Sequence, residues 1–104
     1  MATLNNTGPR RRRAPNPGSM PLRRLGPRLA RALAPVLREA RLAQSLSQEA
    51  LAGSLGIDRS SLATLELALR STTLTMFVLL ARGVQVPPGE LLTRVIALLE
   101  ADEG

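Results

Sequence analysis

The chain contains no cysteine, histidine, tryptophan or tyrosine, and Phe77 is its single aromatic residue. The lack of cysteine excludes disulfides and thiolate metal sites. The lack of histidine removes the usual neutral-pH general base and the commonest metal ligand. Serine triads, zinc hydrolases and cysteine proteases each require a histidine or a cysteine, which this chain lacks. We therefore predict a protein that is not an enzyme and needs no cofactor and no metal. The core must be built from leucine, alanine, valine and isoleucine, which favours helices packed on helices.

Acidic residues are missing from the first part of the chain. Residues 1–31 contain eight arginines and no acid, a charge of +8, whereas residues 32–104 contain six arginines and eight acids, a charge of −2, and the sum is the net charge of +6. With its prolines and four consecutive arginines, the segment 1–21 is predicted to be a disordered basic tail. Its role has two open interpretations, an arm that contacts a polyanion or a solubilising leader.

Long apolar runs are also absent, since none approaches the ~20 residues that a membrane-spanning helix needs. We therefore expect a soluble, cytoplasmic protein with no membrane partner.

The spacing of apolar residues predicts an all-α fold, and no alternating stretch typical of strands occurs. From Leu22 to Val36 the leucines have helical spacing, but Gly26-Pro27 and Pro35 interrupt it. We predict a short amphipathic helix near 27–33, or a linker, followed by a firmer helix that begins at Pro35. Four more helices are predicted at 48–55, 59–68, 74–82 and from Pro87-Pro88 to about Ala101, so that the folded domain spans 35–101.

The most informative stretch runs from Gln48 to Glu66, where two short helices are joined through Leu55-Gly56-Ile57. Ser47 and Asp58 are suited to cap these helices at their N-termini. Gly56 can adopt the positive φ that a turn of about three residues requires. The pattern predicts a helix-turn-helix with apolar residues inside and an outer side formed by Arg59, Ser60, Ser61, Ala63 and Thr64.

Several further runs accompany this motif: Leu37-Arg38-Glu39-Ala40-Arg41, Leu46-Ser47-Gln48-Glu49-Ala50-Leu51-Ala52, Leu65-Glu66 and Gly83-Val84-Gln85-Val86-Pro87-Pro88-Gly89-Glu90-Leu91-Leu92. Together they resemble the Cro-type phage-repressor family of helix-turn-helix proteins, also called the xenobiotic-response-element (XRE) family, over about residues 35–92. The resemblance implies a five-helix, lambda-repressor-like DNA-binding domain with its helix-turn-helix at 48–67 and double-stranded DNA as its partner.

The resemblance also implies roles for individual residues. Base contacts would come from the recognition helix, through Arg59, Ser60 and Thr64. Contacts with the DNA backbone would come from Gln48, Ser61, Arg70, Ser71 and Thr72. A structural ion pair would join Arg41 to Glu66, and a partner for each is expected because an unpaired charge among apolar neighbours is costly.

The chain departs from the family pattern just after the recognition helix. Where the family has a glycine and then a proline, this sequence has Leu67-Ala68-Leu69 and Thr72-Thr73. Without the glycine we expect the recognition helix to run a turn longer or to end differently. Leu67 and Leu69 would then be exposed and available to a protein partner.

The fifth helix carries an unusually wide apolar face, which covers an arc of roughly 160° at 100° per residue. We assign one side of it to the core and the other to a two-fold dimer seam, with the seam residues drawn from Leu91, Leu92, Val95, Ile96, Leu98 and Leu99. The alternative is that the whole face is core or is covered by the segment 22–34. A homodimer would present two recognition helices to a palindromic operator.

The sequence therefore supports a DNA-binding transcriptional regulator, acting as a repressor and as a homodimer. A second hypothesis is an antitoxin-like protein that neutralises a partner protein and autoregulates its operon. A third is a degenerate domain used only for protein interaction, because Arg59 is the only cation of the recognition helix.

Overall fold

The computed structural model describes residues 21–103. It consists of five helices: α1 (Leu22–Ala43), α2 (Gln48–Leu55), α3 (Arg59–Glu66), α4 (Leu74–Gly83) and α5 (Pro88–Glu103). No strand occurs within these residues, so the predicted all-α, five-helix fold is confirmed for them. The predicted basic tail lies almost wholly outside the described residues. No helix between residues 21 and 103 is long and apolar enough to cross a membrane.

The first helix corrects the sequence interpretation of segment 22–43. A short helix at 27–33 and a second one from Pro35 were expected, but α1 is continuous and contains both Pro27 and Pro35. Both prolines lie on the exposed side of the helix, where water can hydrogen-bond the carbonyl that each proline leaves without an N–H partner. The opposite face buries Leu33 and Leu37 in the core, and this packing outweighs the local preference to break the helix.

The core is aliphatic, as the composition predicts. The largest fully buried side chains are Leu37, Leu51, Leu62, Leu65, Leu80, Val84 and Leu91, and Phe77 is the aromatic member of the same cluster. The helix α1 packs against both α3 and α5. The unit formed by α2 and α3 is thereby held against α1 through α3 and against α4 through α2.

All four turns between the helices end the preceding helix in the same way. Each contains one residue with positive φ: Ser45 (58°), Gly56 (71°), Ala68 (60°) and Gln85 (61°). The next residue donates its N–H to a carbonyl five positions back, as in Leu46 N to Arg41 O at 3.2 Å and Leu69 N to Thr64 O at 3.1 Å. This is the Schellman motif, in which the residue after the left-handed position is typically apolar. Here those residues are Leu46, Ile57, Leu69 and Val86.

Gly83 lies inside the fourth helix. The predicted helix ends at residue 82, whereas α4 includes Gly83 as its last residue, and Gln85 takes the left-handed conformation in the following turn. A Cβ built at Gly83 would lie 2.7 Å from Leu51 Cδ1. Glycine at this position therefore allows α4 to approach α2 closely.

Candidate nucleic-acid interface

The α2–turn–α3 unit is built by local capping. Ser47 Oγ accepts the N–H of Ala50 at 2.9 Å, which confirms Ser47 as the N-cap of α2. Gly56 adopts the left-handed conformation, and Ile57 N donates to Ala52 O at 3.0 Å. Asp58 occupies the N-cap position of α3, although its side chain makes no capping hydrogen bond.

The third helix ends earlier than expected. It was predicted to reach residue 68, but it ends at Glu66, and Ala68 adopts φ 60°. An alanine thus takes the left-handed position that the family gives to glycine. The left-handed conformation costs a non-glycine residue about 1–2 kcal/mol, and the hydrogen bonds of the turn offset this cost.

The structure brings Arg41 and Glu66 together. Arg41 Nε donates to Glu66 Oε2 at 2.7 Å and Nη2 donates to Oε1 at 2.8 Å, a bidentate pair. The two side chains are only 8 % and 3 % exposed. The remaining terminal nitrogen, Nη1, donates to Leu46 O at 2.6 Å, so the guanidinium group links α1, the first turn and the end of α3.

Gln48 completes this network, a contact that the sequence analysis did not foresee. Its Nε2 donates to Glu66 Oε1 at 3.0 Å. Burial works against ionisation of Glu66, but the hydrogen bonds from Arg41 and Gln48 and the charges of Arg41 and Arg38 outweigh it and lower the pKa of Glu66. The hydrogen bond to Glu66 raises the pKa of Arg41 against the effect of burial. Both groups are therefore charged at neutral pH.

The expected base-contact residues lie on the outer side of α3. Arg59 and Ser60 are exposed and Thr64 is half-buried. Among the side chains of residues 21–102, no carboxylate forms an ion pair with Arg59. Thr64 Oγ1 donates to Ser60 O at 2.7 Å, so the hydroxyl hydrogen of Thr64 is already used within the helix.

Four of the expected backbone-contact residues gather around one cleft. The cleft has a volume of about 120 Å³, and its lining includes Ser61, Arg70, Ser71 and Thr72. Arg70 and Ser71 are exposed, and Ser61 and Thr72 are half-buried. Gln48 lies apart from them, at the first residue of α2.

The apolar face of α5 is divided between core and surface, and a dimer seam there stays a prediction. Leu91, Val95 and Leu99 are buried in the core of this single chain, so they form the core side of the face. Leu92 and Leu98 remain exposed, at 46 % and 42 %, and Ile96 is half-buried. Because Leu92 and Leu98 are six residues apart, they lie about 120° from each other around the helix and flank the buried strip on opposite sides.

The two flanks have different surroundings. Leu92 lines an apolar groove of about 380 Å³ together with Leu74 and Phe77. Leu98 lies beside Arg28 and Asp102, which form an ion pair at 3.2 Å. The segment 22–34 thus lies beside one flank of α5, and the two exposed leucines have different surroundings.

Comparisons with known proteins are consistent with this geometry. The model of the helix-turn-helix family matches residues 37–91, more than half of the chain. No curated protein matches the chain. Among solved structures, the fold is similar to that of the restriction-modification controller protein C.Esp1396I, a tetramer in complex with its natural 35-base-pair operator. The TM-score is 0.62 and the identity 24 %, over 68 % of this chain and 93 % of that one.

Proposed function

The chain belongs to the XRE-type helix-turn-helix family of DNA-binding transcription regulators, and we propose that it binds one double-stranded DNA sequence specifically and represses transcription there as a homodimer. The observation that carries this proposal is the placement of α3. The turn at Gly56 and the Arg41–Glu66 pair hold the helix so that Arg59 and Ser60 project outward.

In this proposal Arg59 and Ser60 contact base edges from the first turn of α3. A guanidinium group without an ion-pair partner is suited to bidentate hydrogen bonding with guanine O6 and N7, and a serine hydroxyl can bond several bases. Thr64 lies one turn further along the helix, where its methyl group can touch a thymine methyl.

Contacts with the DNA backbone fix the orientation of the helix. The cleft lined by Ser61, Arg70, Ser71 and Thr72 combines hydroxyl groups with one cation, the groups that bind phosphate oxygens in protein–DNA interfaces. Gln48 stands at the N-terminus of α2, where backbone N–H groups and the helix dipole favour a phosphate. Because Gln48 also bonds Glu66, a phosphate held there would brace the recognition helix.

A homodimer would place two copies of α3 about 34 Å apart, one turn of the double helix, and would select a palindromic operator. The exposed flank of α5 around Leu92, continuous with the apolar groove, is the surface that we assign to the dimer. The bound state of C.Esp1396I, a tetramer on its operator, supports an oligomeric form. A dimer that covers a promoter represses by occupancy, and this requires neither a cofactor nor an effector domain.

The proposal is tested by selecting duplexes from a randomised pool with the full chain and then titrating salt against the selected duplex. We expect log K to fall linearly with log[salt], with a slope of about −0.9 for each phosphate contacted. Failure to enrich any sequence, or an affinity independent of salt, would contradict the proposed function.

A second candidate function, an antitoxin-like role, is favoured by two exposed leucines at the end of α3. Leu67 and Leu69 are 68 % and 70 % exposed, and exposed apolar side chains of this kind are typical of protein contacts. A stoichiometric complex with a second protein, abolished by Leu69→Ser in a variant that still binds DNA, would favour this role.

A further inference from the structure

Leu67 lies on the same face of the recognition helix as the residues that we assign to DNA bases. Its N–H donates to Ala63 O at 2.9 Å, and its φ of −91° and ψ of 3° continue the last helical turn. Because residues four apart share a helix face, Leu67 stands one turn beyond Ala63. At 100° per residue, the outer arc of about 140° contains Arg59, Ser60, Ala63, Thr64 and Leu67.

The opposite face of α3 is occupied. Leu62 and Leu65 are buried in the core, and Glu66 is held by Arg41 and Gln48. Leu67, by contrast, is 68 % exposed. Leu67 lies at the centre of the outer arc and therefore belongs to the exposed surface of α3, not to the core.

The second half of this surface is apolar. Thr64 has already donated its hydroxyl hydrogen to Ser60 O, so it can offer a base its methyl group and an oxygen lone pair but no hydrogen. Ala63 adds a methyl group and Leu67 an isobutyl group. Beyond Arg59 and Ser60, the outer arc thus presents mainly methyl groups.

We propose that Leu67 is a specificity-determining residue that packs against the C5-methyl group of a thymine. This inference rests on the proposed function, because it requires that α3 lie in the major groove. The thymine methyl is the apolar group that base pairs display there, and burying it against Leu67 removes apolar surface from water on both sides. The methyl groups of Ala63 and Thr64 flank the contact.

The thymine read by Leu67 is not the base read by Arg59. The two residues are eight positions apart, which corresponds to about 12 Å along the helix axis. Successive base pairs are about 3.4 Å apart along the duplex axis, so a separation of this size places the thymine in a different base pair from the one that Arg59 contacts.

Leu69 provides a matched control within the chain. It is as exposed as Leu67, but it follows Ala68, whose positive φ ends the helix. Leu69 therefore does not continue the outer arc. The two leucines share a residue type and a degree of exposure and differ in their position relative to the recognition helix.

The experiment uses the full chain and a duplex selected from a randomised pool. In copies of this duplex, single thymines are replaced by deoxyuridine, which keeps base pairing and removes only the C5-methyl group. We expect the wild-type protein to bind about three- to tenfold more weakly when one particular thymine of each half-site is replaced. Leu67→Ala should bind the unmodified duplex more weakly and show no difference at that position, whereas Leu69→Ala should keep the difference.

The outcomes separate this inference from the proposed function. If no sequence is enriched, the proposed function fails. If a sequence is enriched but every deoxyuridine copy binds equally well, or if Leu67→Ala keeps the wild-type difference, the role of Leu67 is wrong while specific binding stands. A change in sedimentation of Leu67→Ala in the absence of DNA would instead assign this side chain to a protein contact and would also overturn the inference.

Discussion

Gln48 and Arg41 donate to the same oxygen of one buried carboxylate: Gln48 Nε2 lies 3.0 Å and Arg41 Nη2 lies 2.8 Å from Glu66 Oε1. The first helix, the N-terminus of the second and the end of the third thus meet at Glu66. Glu66 thereby positions the recognition helix, and the charge state of its carboxyl group should govern the stability of the domain.

Stability should depend on pH through Glu66. Because the folded protein lowers the pKa of this carboxyl below its ordinary value of 4.5, its contribution is fully present above that value. It is lost as the pH falls through the lower folded pKa, since the unfolded chain then binds a proton first. Denaturant unfolding between pH 3 and 7 should show this fall in the wild type and a smaller fall in Glu66→Gln. Glu49→Gln, which removes an exposed carboxylate of α2, should retain the wild-type profile, and equal profiles for all three proteins would contradict the prediction.

Removing Arg41 should destabilise the domain strongly. Arg41→Met leaves the carboxylate buried without its main partner, which costs about 3–5 kcal/mol. The free energy of unfolding at pH 7 measures this loss. Arg82→Met, at an exposed site on α4, should stay within about 0.5 kcal/mol of the wild type. A small effect of Arg41→Met would mean that the ion pair contributes little.

Ala68→Gly should stabilise the protein. Alanine at φ 60° carries a conformational cost of about 1–2 kcal/mol, and glycine removes it while adding about 0.4–1 kcal/mol of unfolded-state entropy. We expect a net gain of about 0.5 kcal/mol in the free energy of unfolding. The control, Ala97→Gly, lies at an exposed position within α5 and should lose about 1 kcal/mol. Losses of similar size in both variants would show that Ala68 is not strained.

Arg59→Ala should relax specificity at one base position. We expect a loss of about 1–3 kcal/mol in binding the selected duplex and a weaker preference at that position in a repeated selection. The control, Arg82→Ala, removes the same positive charge from α4 instead of α3. It should leave the preferred DNA sequence unchanged. An unaltered preference in Arg59→Ala would remove this residue from the base contacts.

Leu92→Asp should separate the homodimer into monomers, because it places a charge in the apolar flank that we assign to the seam. Leu98→Asp introduces the same charge at a leucine of similar exposure on the other flank and should leave the dimer intact. Analytical ultracentrifugation without DNA distinguishes the two. Dissociation by Leu98→Asp alone would move the seam to the side of α1.

Much of the helix-turn-helix was predictable because its signals are local. Ser47 caps α2 and Gly56 turns the chain through hydrogen bonds that span only a few residues. The end of α3 at Glu66 was less predictable. Without a glycine for the left-handed position, the sequence left open a longer helix or a different ending. The signal that could have found it is the apolar residue after the turn, since Leu69 occupies the place that Leu46, Ile57 and Val86 occupy in the other three turns.

Sequence alone determined the class of this protein, namely its aliphatic core, its helical caps and the family to which it belongs, since each depends on composition or on neighbours along the chain. Tertiary structure decided the rest. The packing of buried leucines keeps α1 continuous across two prolines. The position of α1 divides the apolar face of α5 between core and surface. These outcomes depend on which distant side chains meet, and the burial free energy of such contacts exceeds the local preferences that a linear pattern records.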